Sequence, residues 1–436
     1  MLQAFAAAFR TPDLRRKLLF SLAMIAIYRL GASIPGPGVS VKAINACLDQ
    51  ANNSSQRDVY ALVNLFSGGA LLKLSVFALG IMPYITASII VQLLVVVIPR
   101  FEQLKKEGQS GQNKLTQYTR YLTIALAVLQ STGIIALARS GQLFPSCTQS
   151  IIPSSSVWTT VVLVITLTAG TSMIMWLGEL LTEKGIGNGM SVLIFTSIAA
   201  RIPGEGGQIL QTRGGLVFGI VCVFAVVIIG TVVYVEQAQR RIPVQYAKRM
   251  VGRRMYGGTS TYLPLKVNQA GVIPVIFASS LLYLPQLIAQ LQGNSVGPVR
   301  QFFDNYINKQ NSPVHIAIYF GLIVFFTYFY VSITFNPEER ADDMKRYGGF
   351  IPGIRPGRPT AEYLQYVLSR ITLPGSIYLG LVAVLPNLFL SISQQGQNQN
   401  VPFGGTAVLI MVGVGLETVK QIETQLNQRN YEGFLK

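Results

Sequence analysis

The residues able to carry covalent or acid–base chemistry are few and poorly placed for it. The chain of 436 residues has one histidine, His315, and three cysteines, Cys47, Cys147 and Cys222, with no C-x-x-C pair. That spacing implies neither a disulfide framework nor a metal site, and a single imidazole argues against a His-based centre. No G-x-x-x-x-G-K-[ST] loop occurs, so hydrolysis of nucleotide in the Walker manner is not expected. Gly185-Ile186-Gly187-Asn188-Gly189 is glycine-rich, but no strand pattern precedes it. A tight turn accounts for it better than a phosphate cradle does. Glu179, Glu236 and Glu417 all stand toward one end of long apolar runs, and Arg29 stands near the other end of the first. His315 opens an apolar run, where an interfacial structural role outweighs a proton relay. Ion-coupled transporters keep Asp, Glu or His near the membrane midplane, because an intramembrane charge is costly. These absences favour a conduit over a pump.

The elements that would position such residues are membrane spans. The chain is 50% hydrophobic and only 12% charged, with a mean hydropathy of +0.44. A soluble protein carries roughly 25% charged residues. A helix needs about 20 apolar residues to cross the bilayer core. Uncharged runs of that kind stand at 74–98, 121–138, 157–178, 216–235, 267–291, 316–335 and 371–390, with a shorter one at 401–416 that extends to Lys420. Two more are imperfect. Leu18 to Val39 contains Arg29 and ends in Ser33-Ile34-Pro35-Gly36-Pro37-Gly38, and Met190 to Ala200 has only 11 residues. Together they predict ten spans.

Positive charge orients them. With the N-terminus inside, the cytoplasmic segments hold 24 of the 35 Lys and Arg and the outer segments hold 8. Both termini are therefore expected in the cytoplasm. Basic residues precede the first apolar run without an A-x-A site, which reads as an uncleaved span. Ten spans divide into two five-span halves, 1–200 and 201–436. An odd number per half makes the halves inverted repeats, an arrangement common in transporters.

Two stretches stand out. Leu62 to Leu72 is apolar but too short to span, is broken by Ser67-Gly68-Gly69, and is separated from the next run by Lys73. It suits either an interfacial half-helix or a re-entrant segment inside a cavity. The cytoplasmic stretch 238–266 holds seven Lys or Arg and no Asp or Glu, and it offers a docking surface for an anionic partner such as RNA or an acidic protein. The stretch 335–366 is balanced instead, and its Phe350-Ile351-Pro352-Gly353-Ile354-Arg355-Pro356-Gly357 forms a stiff turn presenting one arginine.

Over essentially its whole length the chain resembles the SecY family of protein-translocation channels. The resemblance rests on FSGGAL and FALGIMPYITASIIVQLL (66–71, 77–94), MWLGELLTEKGIGNGMS (175–191), RRIPVQYAKRMVGRR with LPLKVNQAGVIPVIFASS (240–254, 263–280) and FIPGIRPGRPT (350–360), in that order. It implies an all-α polytopic membrane protein, ten transmembrane helices in two inverted halves around an hourglass pore that opens laterally to lipid. It also implies that 62–72, with Leu62, Asn64, Phe66, Ser67, Gly68, Gly69 and Leu72, is a plug. By motif position the pore ring would be Ile81, Ile85, Met190, Ile194, Ile276 and Ile410, with Met190 departing from the family's usual isoleucine. Thr86, Gln130 and Asn268 would be polar groups of the lateral gate, although each also suits an ordinary packing hydrogen bond. Arg249, Arg253, Arg254 and Arg355 would face the driving partner, either the ribosome or the SecA ATPase. A SecE subunit and often SecG are expected beside it, with signal sequences, nascent polypeptides and lipid as the other partners.

The resemblance thus implies a passive gated channel for unfolded polypeptides, without cofactor, metal or catalytic residue, in a bacterial or cyanobacterial plasma membrane or a thylakoid. Apolar segments of the moving chain would leave sideways and polar ones pass through. A small-solute transporter would also explain ten inverted spans, and a membrane scaffold for RNA would explain the basic stretch. The first lacks midplane ionisable groups, and the second leaves 62–72 unexplained.

Overall fold

The computed structural model describes residues 11–51, 69–71, 73–139, 151–153, 156–246, 249–251, 254–256, 260–291, 312–392 and 405–433. Thirteen helices are laid out in these stretches. They are α1 (Pro12–Ser33), α2 (Val41–Ala51), α3 (Met82–Val97), α4 (Pro99–Lys106), α5 (Gln109–Arg139), α6 (Val157–Lys184) and α7 (Gly189–Ala199). Then come α8 (Ile202–Gln237), α9 (Ile273–Leu291), α10 (Pro313–Thr334), α11 (Pro337–Arg346), α12 (Arg358–Ile392) and α13 (Gly405–Gly433). The fold is that of an all-α polytopic membrane protein. Among the described residues six helices are long and apolar enough to cross a membrane, or seven if the bent pair α3–α4 is one span. Two shorter apolar helices are α7, read through to Gly204, and the described part of α9, Ile273–Leu282.

Local chemistry sets the boundaries. Pro12, Pro83, Pro99 and Pro313 stand in the first turns of α1, α3, α4 and α10, where a missing N–H costs nothing. The apolar run from residue 74 is not helical at its start. Residues 73–81 form successive turns, with Gly80 at φ +58 and Leu74 at φ +44, and the helix begins only at Met82. The turns pair with the chain after α1, through Gly36 N to Leu74 O (2.9 Å) and Val76 N to Ile34 O (2.9 Å). Helices α5 and α12 begin well before their apolar runs, and α4 leaves α3 at 100°. In α8, Gly214 (φ +81, ψ 170) marks a kink between the polar stretch 202–213 and the apolar remainder.

The basic stretch 238–266 is not an irregular loop. Gln239–Tyr246 (β1) pairs antiparallel with Ser260–Lys266 (β4), from Gln239 opposite Lys266 to Gln245 opposite Ser260. Arg249–Val251 (β2) and Arg254–Tyr256 (β3) form a small ribbon between them, and Gly349–Phe350 (β5) adds to the other edge of β1. Ile242, Leu265, Ile351, Leu364 and Val367 bury a separate small core that seats this sheet on α12. Cys47 is disulfide-bonded, which corrects the reading of its spacing. It lies fully buried among Ile44, Leu71, Leu74, Ile135 and Ile151. Cys222 is free.

Candidate functional site

Four separate helices deliver the expected ring residues to one place. Ile81 caps the start of α3, and Ile85 follows one turn later, its N–H donating to Ile81 O at 3.1 Å. Met190 and Ile194 lie one turn apart on α7, Ile276 stands in the first turn of α9, and Ile410 stands on α13. Ile81, Ile85, Ile194, Ile276 and Ile410 join a single apolar cluster, and Met190 packs on it half-buried. The five isoleucines are all less than a tenth exposed, with Ile410 fully buried. Met190 fits because Gly178 has no side chain: a Cβ there would meet the Met190 sulfur. The six ring side chains carry no strong donor or acceptor, and a constriction made of such groups would resist ions by dewetting yet part without breaking specific bonds.

The turn that carries α7 into place is held by polar caps. Asn188 Oδ1 accepts from Met190 N at 3.1 Å, Thr182 Oγ1 accepts from Gly189 N at 2.9 Å, and Ser21 Oγ accepts from Ile186 N at 3.3 Å. The glycine-rich segment is thus a tight turn docked on α1. Tyr28 of α1 bonds Ser197 of α7 at 2.6 Å and stacks on Phe77, and this packs α1 against the cluster.

The gate residues are placed less uniformly. The helix α9 packs against α3 and α5, so the first and second halves of the chain meet along that seam. Thr86, Gln130 and Asn268 are all buried. The Thr86 hydroxyl donates back to Met82 O at 3.0 Å, within its own helix. Asn268 precedes α9, and its Nδ2 donates to Glu236 Oε1 of α8 at 2.5 Å and to Gly271 O at 3.1 Å. Lys105 of α4 donates to Ile333 O in the last turn of α10, at 3.3 Å.

Of the seven residues named for the plug only Gly69 is described, at φ +91 and with no described atom within 4 Å of where a Cβ would stand. Leu62, Asn64, Phe66, Ser67, Gly68 and Leu72 lie outside the described residues. The chain leaves α2 at Ala51 and is described again from Gly69, where Ala70 and Leu71 are buried. Among the arginines, Arg249 and Arg254 lie in β2 and β3, Arg253 is outside the described residues, and Arg355 is exposed in the turn before α12. That turn is held by Thr360 Oγ1 on Arg355 O (2.9 Å), with Gly353 and Gly357 at positive φ. Arg241, also exposed, lies over the Tyr262 ring across the β1–β4 pair, 4.8 Å from its centroid.

Sequence reasoning missed Glu236, Lys105 and the Arg120–Glu179 pair, which joins α5 to α6 through two bonds of 2.9 and 2.7 Å. The first had a signal. Alternation of Ile242 and Val244 on one side, and of Leu263 and Leu265 on the other, has the strand period of two. Pairing those strands brings Glu236 beside Asn268. Contacts such as Lys105–Ile333, 228 residues apart, leave no local trace.

Helices from distant parts of the chain converge on one aliphatic cluster, the core of a polytopic helical membrane protein. A model of the SecY family matches residues 75–419. Relatives called protein translocase subunit SecY match at 67% identity in Mycobacterium tuberculosis and 64% in Streptomyces coelicolor, over 100% of this chain and of each relative. Solved structures share the fold. One is described as a protein-conducting channel (TM-score 0.63, 18% identity, 94% of this chain and 92% of that one). Another is Sec61 in the canine ribosome–channel complex from the endoplasmic reticulum (TM-score 0.61, 17% identity, 94% and 92%). The chain belongs to the SecY family, and it is a channel subunit rather than an enzyme.

Proposed function

We propose that this chain is the central pore-forming subunit of a Sec translocase, a passive gated channel that moves unfolded, signal-bearing polypeptides across the membrane. The observation that carries the reading is the convergence of α3, α7, α9 and α13 on one apolar cluster through Ile81, Ile85, Met190, Ile194, Ile276 and Ile410. In this reading ten spans in two inverted halves, 1–200 and 201–436, surround the pore, and 62–72 closes it from outside. The seam of α9 with α3 and α5 is the lateral gate, and Thr86, Gln130 and Asn268 are buried polar groups on or just before its helices, with Thr86 bonded within α3 and Asn268 bonded to the end of α8. Hydrogen bonds between transmembrane helices are worth roughly 0.6–2 kcal/mol, enough to hold a gate and weak enough for a signal helix to replace. Arg249, Arg253, Arg254 and Arg355 meet the ribosome or the SecA ATPase, and SecE with SecG completes the complex. The sources of the relatives favour a bacterial plasma membrane; none supports a thylakoid.

Bilayer conductance of the purified protein, intact and with 62–72 deleted, tests this. The intact form is expected to be silent and the deletion to carry large, poorly selective currents. Silence from a folded deletion would remove the plug and favour a small-solute transporter.

A further inference from the structure

The basic hairpin and the pore helix are joined by a short path that the channel reading does not use. Strands β1 and β4 are paired along their whole length, so the hairpin moves as one body. Its first leg continues from α8 through Ala238, and its second leg reaches α9 through residues 267–272, which are not helical. The two legs meet at Val267 N, which donates to Ala238 O at 3.0 Å. One layer deeper, Glu236 Oε1 accepts from Asn268 Nδ2, and the same amide donates to Gly271 O. Asn268 is only 3% exposed, and Ile276 of the apolar cluster lies eight residues further along the chain. Gly375 of α12 backs the junction: a Cβ there would meet Val267 O at 2.5 Å, so nothing larger than glycine lets α12 approach. Lys266, Lys420 and Glu417 stand near enough to Glu236 to act on its charge. Asn268 Oδ1 and the Tyr378 hydroxyl are each buried without a hydrogen-bond partner among the described residues.

We propose that Glu236 and Asn268 form a clasp that transmits displacement of the docked hairpin to α9, so that binding of a partner outside the membrane loosens the apolar constriction. Without the clasp, a tilt of the hairpin is absorbed by the irregular segment 267–272, where Gly271 sits at φ +61. With it, the end of α8, Asn268 and the start of α9 shift together. Glu236 is here a positioning residue. The inference rests on reading 238–266 as a docking surface; its basic, acid-free composition suits the phosphates of ribosomal RNA.

The test uses the full chain with its companion subunits in proteoliposomes, and purified bacterial ribosomes carrying a stalled signal-bearing chain as the probe. Three quantities are read: ribosome binding, opening by a synthetic signal peptide alone, and opening by the ribosome complex. Glu236→Ala is expected to leave the first two unchanged and to lower the third about tenfold, a typical coupling between sites. Glu236→Gln keeps a carbonyl acceptor for Asn268 and is expected to restore it. The clasp is overturned if Glu236→Ala opens like the unmodified protein, if both kinds of opening fall together, or if Glu236→Gln is no better than alanine. Failure of the unmodified protein to bind ribosomes would instead overturn the docking reading, and the clasp with it.

Discussion

The apolar cluster is closed along two seams that are built differently. On one, α7 packs against α13, bringing Met190 and Ile194 together with Ile410. On the other, α9 packs against α3, bringing Ile276 together with Ile81 and Ile85. Beyond the ring the first seam continues into a buried knot of Leu14, Ile186 and Ile422, with Lys17 donating to Gln425 at 3.3 Å. Beyond the ring the second seam is tied by the exposed Lys105–Ile333 bond. Close-packed apolar contacts resist separation because every lost contact leaves a void. An exposed polar contact exchanges readily with water. On the channel reading proposed above, the first seam is the fixed edge and the second the edge that parts. Only the second separates α9 from the helices of the first half, as lateral release of an apolar segment requires.

The sharpest break is at the ring itself, where both seams meet. Ile410 is fully buried, and Ile410→Asn places an amide there with nothing designed to receive it. A buried polar group without a partner costs about 1–3 kcal/mol and attracts water. Basal ion conductance is expected to rise at least about tenfold as the dry constriction wets. Planar-bilayer recording on folded protein checks it, and an unchanged, silent current would remove Ile410 from the barrier.

The next largest effect concerns the fixed edge. Gly187 sits at φ +85 in the turn before α7, and a Cβ there would lie 3.3 Å from Thr418 Oγ1 of α13. Gly187→Val combines a left-handed backbone with a β-branched side chain, a strain of about 1–2 kcal/mol or more. Thermal unfolding in detergent should shift down accordingly, and transport should fall only as far as folded protein is lost. A folded variant with wild-type stability and a blocked gate would reverse the roles assigned to the two seams.

The two seams were not equally legible in the sequence. Each apolar run places a helix over most of its described length, because length and hydropathy are local properties and the bilayer imposes them, although 74–81 and 267–272 stay non-helical. The ring residues lie in stretches that match the family's motifs, and six positions spread over 81–410 join or pack on one cluster. The polar contacts were harder to read. Thr86 and Asn268 read alike as buried polar residues within apolar surroundings, yet one bonds its own helix and the other bonds the end of α8. Which partner a buried amide finds depends on the hairpin that folds between Glu236 and Asn268. That hairpin was read as a basic stretch, since its charges drew more notice than its alternation. The late start of α3 had the same origin: apolar content hid Gly80 and Pro83, which together keep 73–81 out of the helix.

The smallest effect is the most discriminating for the parting edge. The Lys105 ammonium donates to a carbonyl in the last turn of α10, where the helix dipole favours a cation. The lysine is exposed, so its loss costs well under about 1 kcal/mol, equivalent to less than about a fivefold shift in a gate equilibrium. Lys105→Met keeps a long, unbranched apolar stem while removing the donor. It should leave the unfolding temperature unchanged and raise the fraction of open events modestly, measured with a signal peptide at sub-saturating concentration. Raising the salt concentration should bring the unmodified protein toward the variant, since screening weakens a surface cation's hold on a helix end. An equal gain in Lys17→Leu, which cuts the Gln425 bond on the other seam, would show that both edges yield alike and that packing does not decide which one opens.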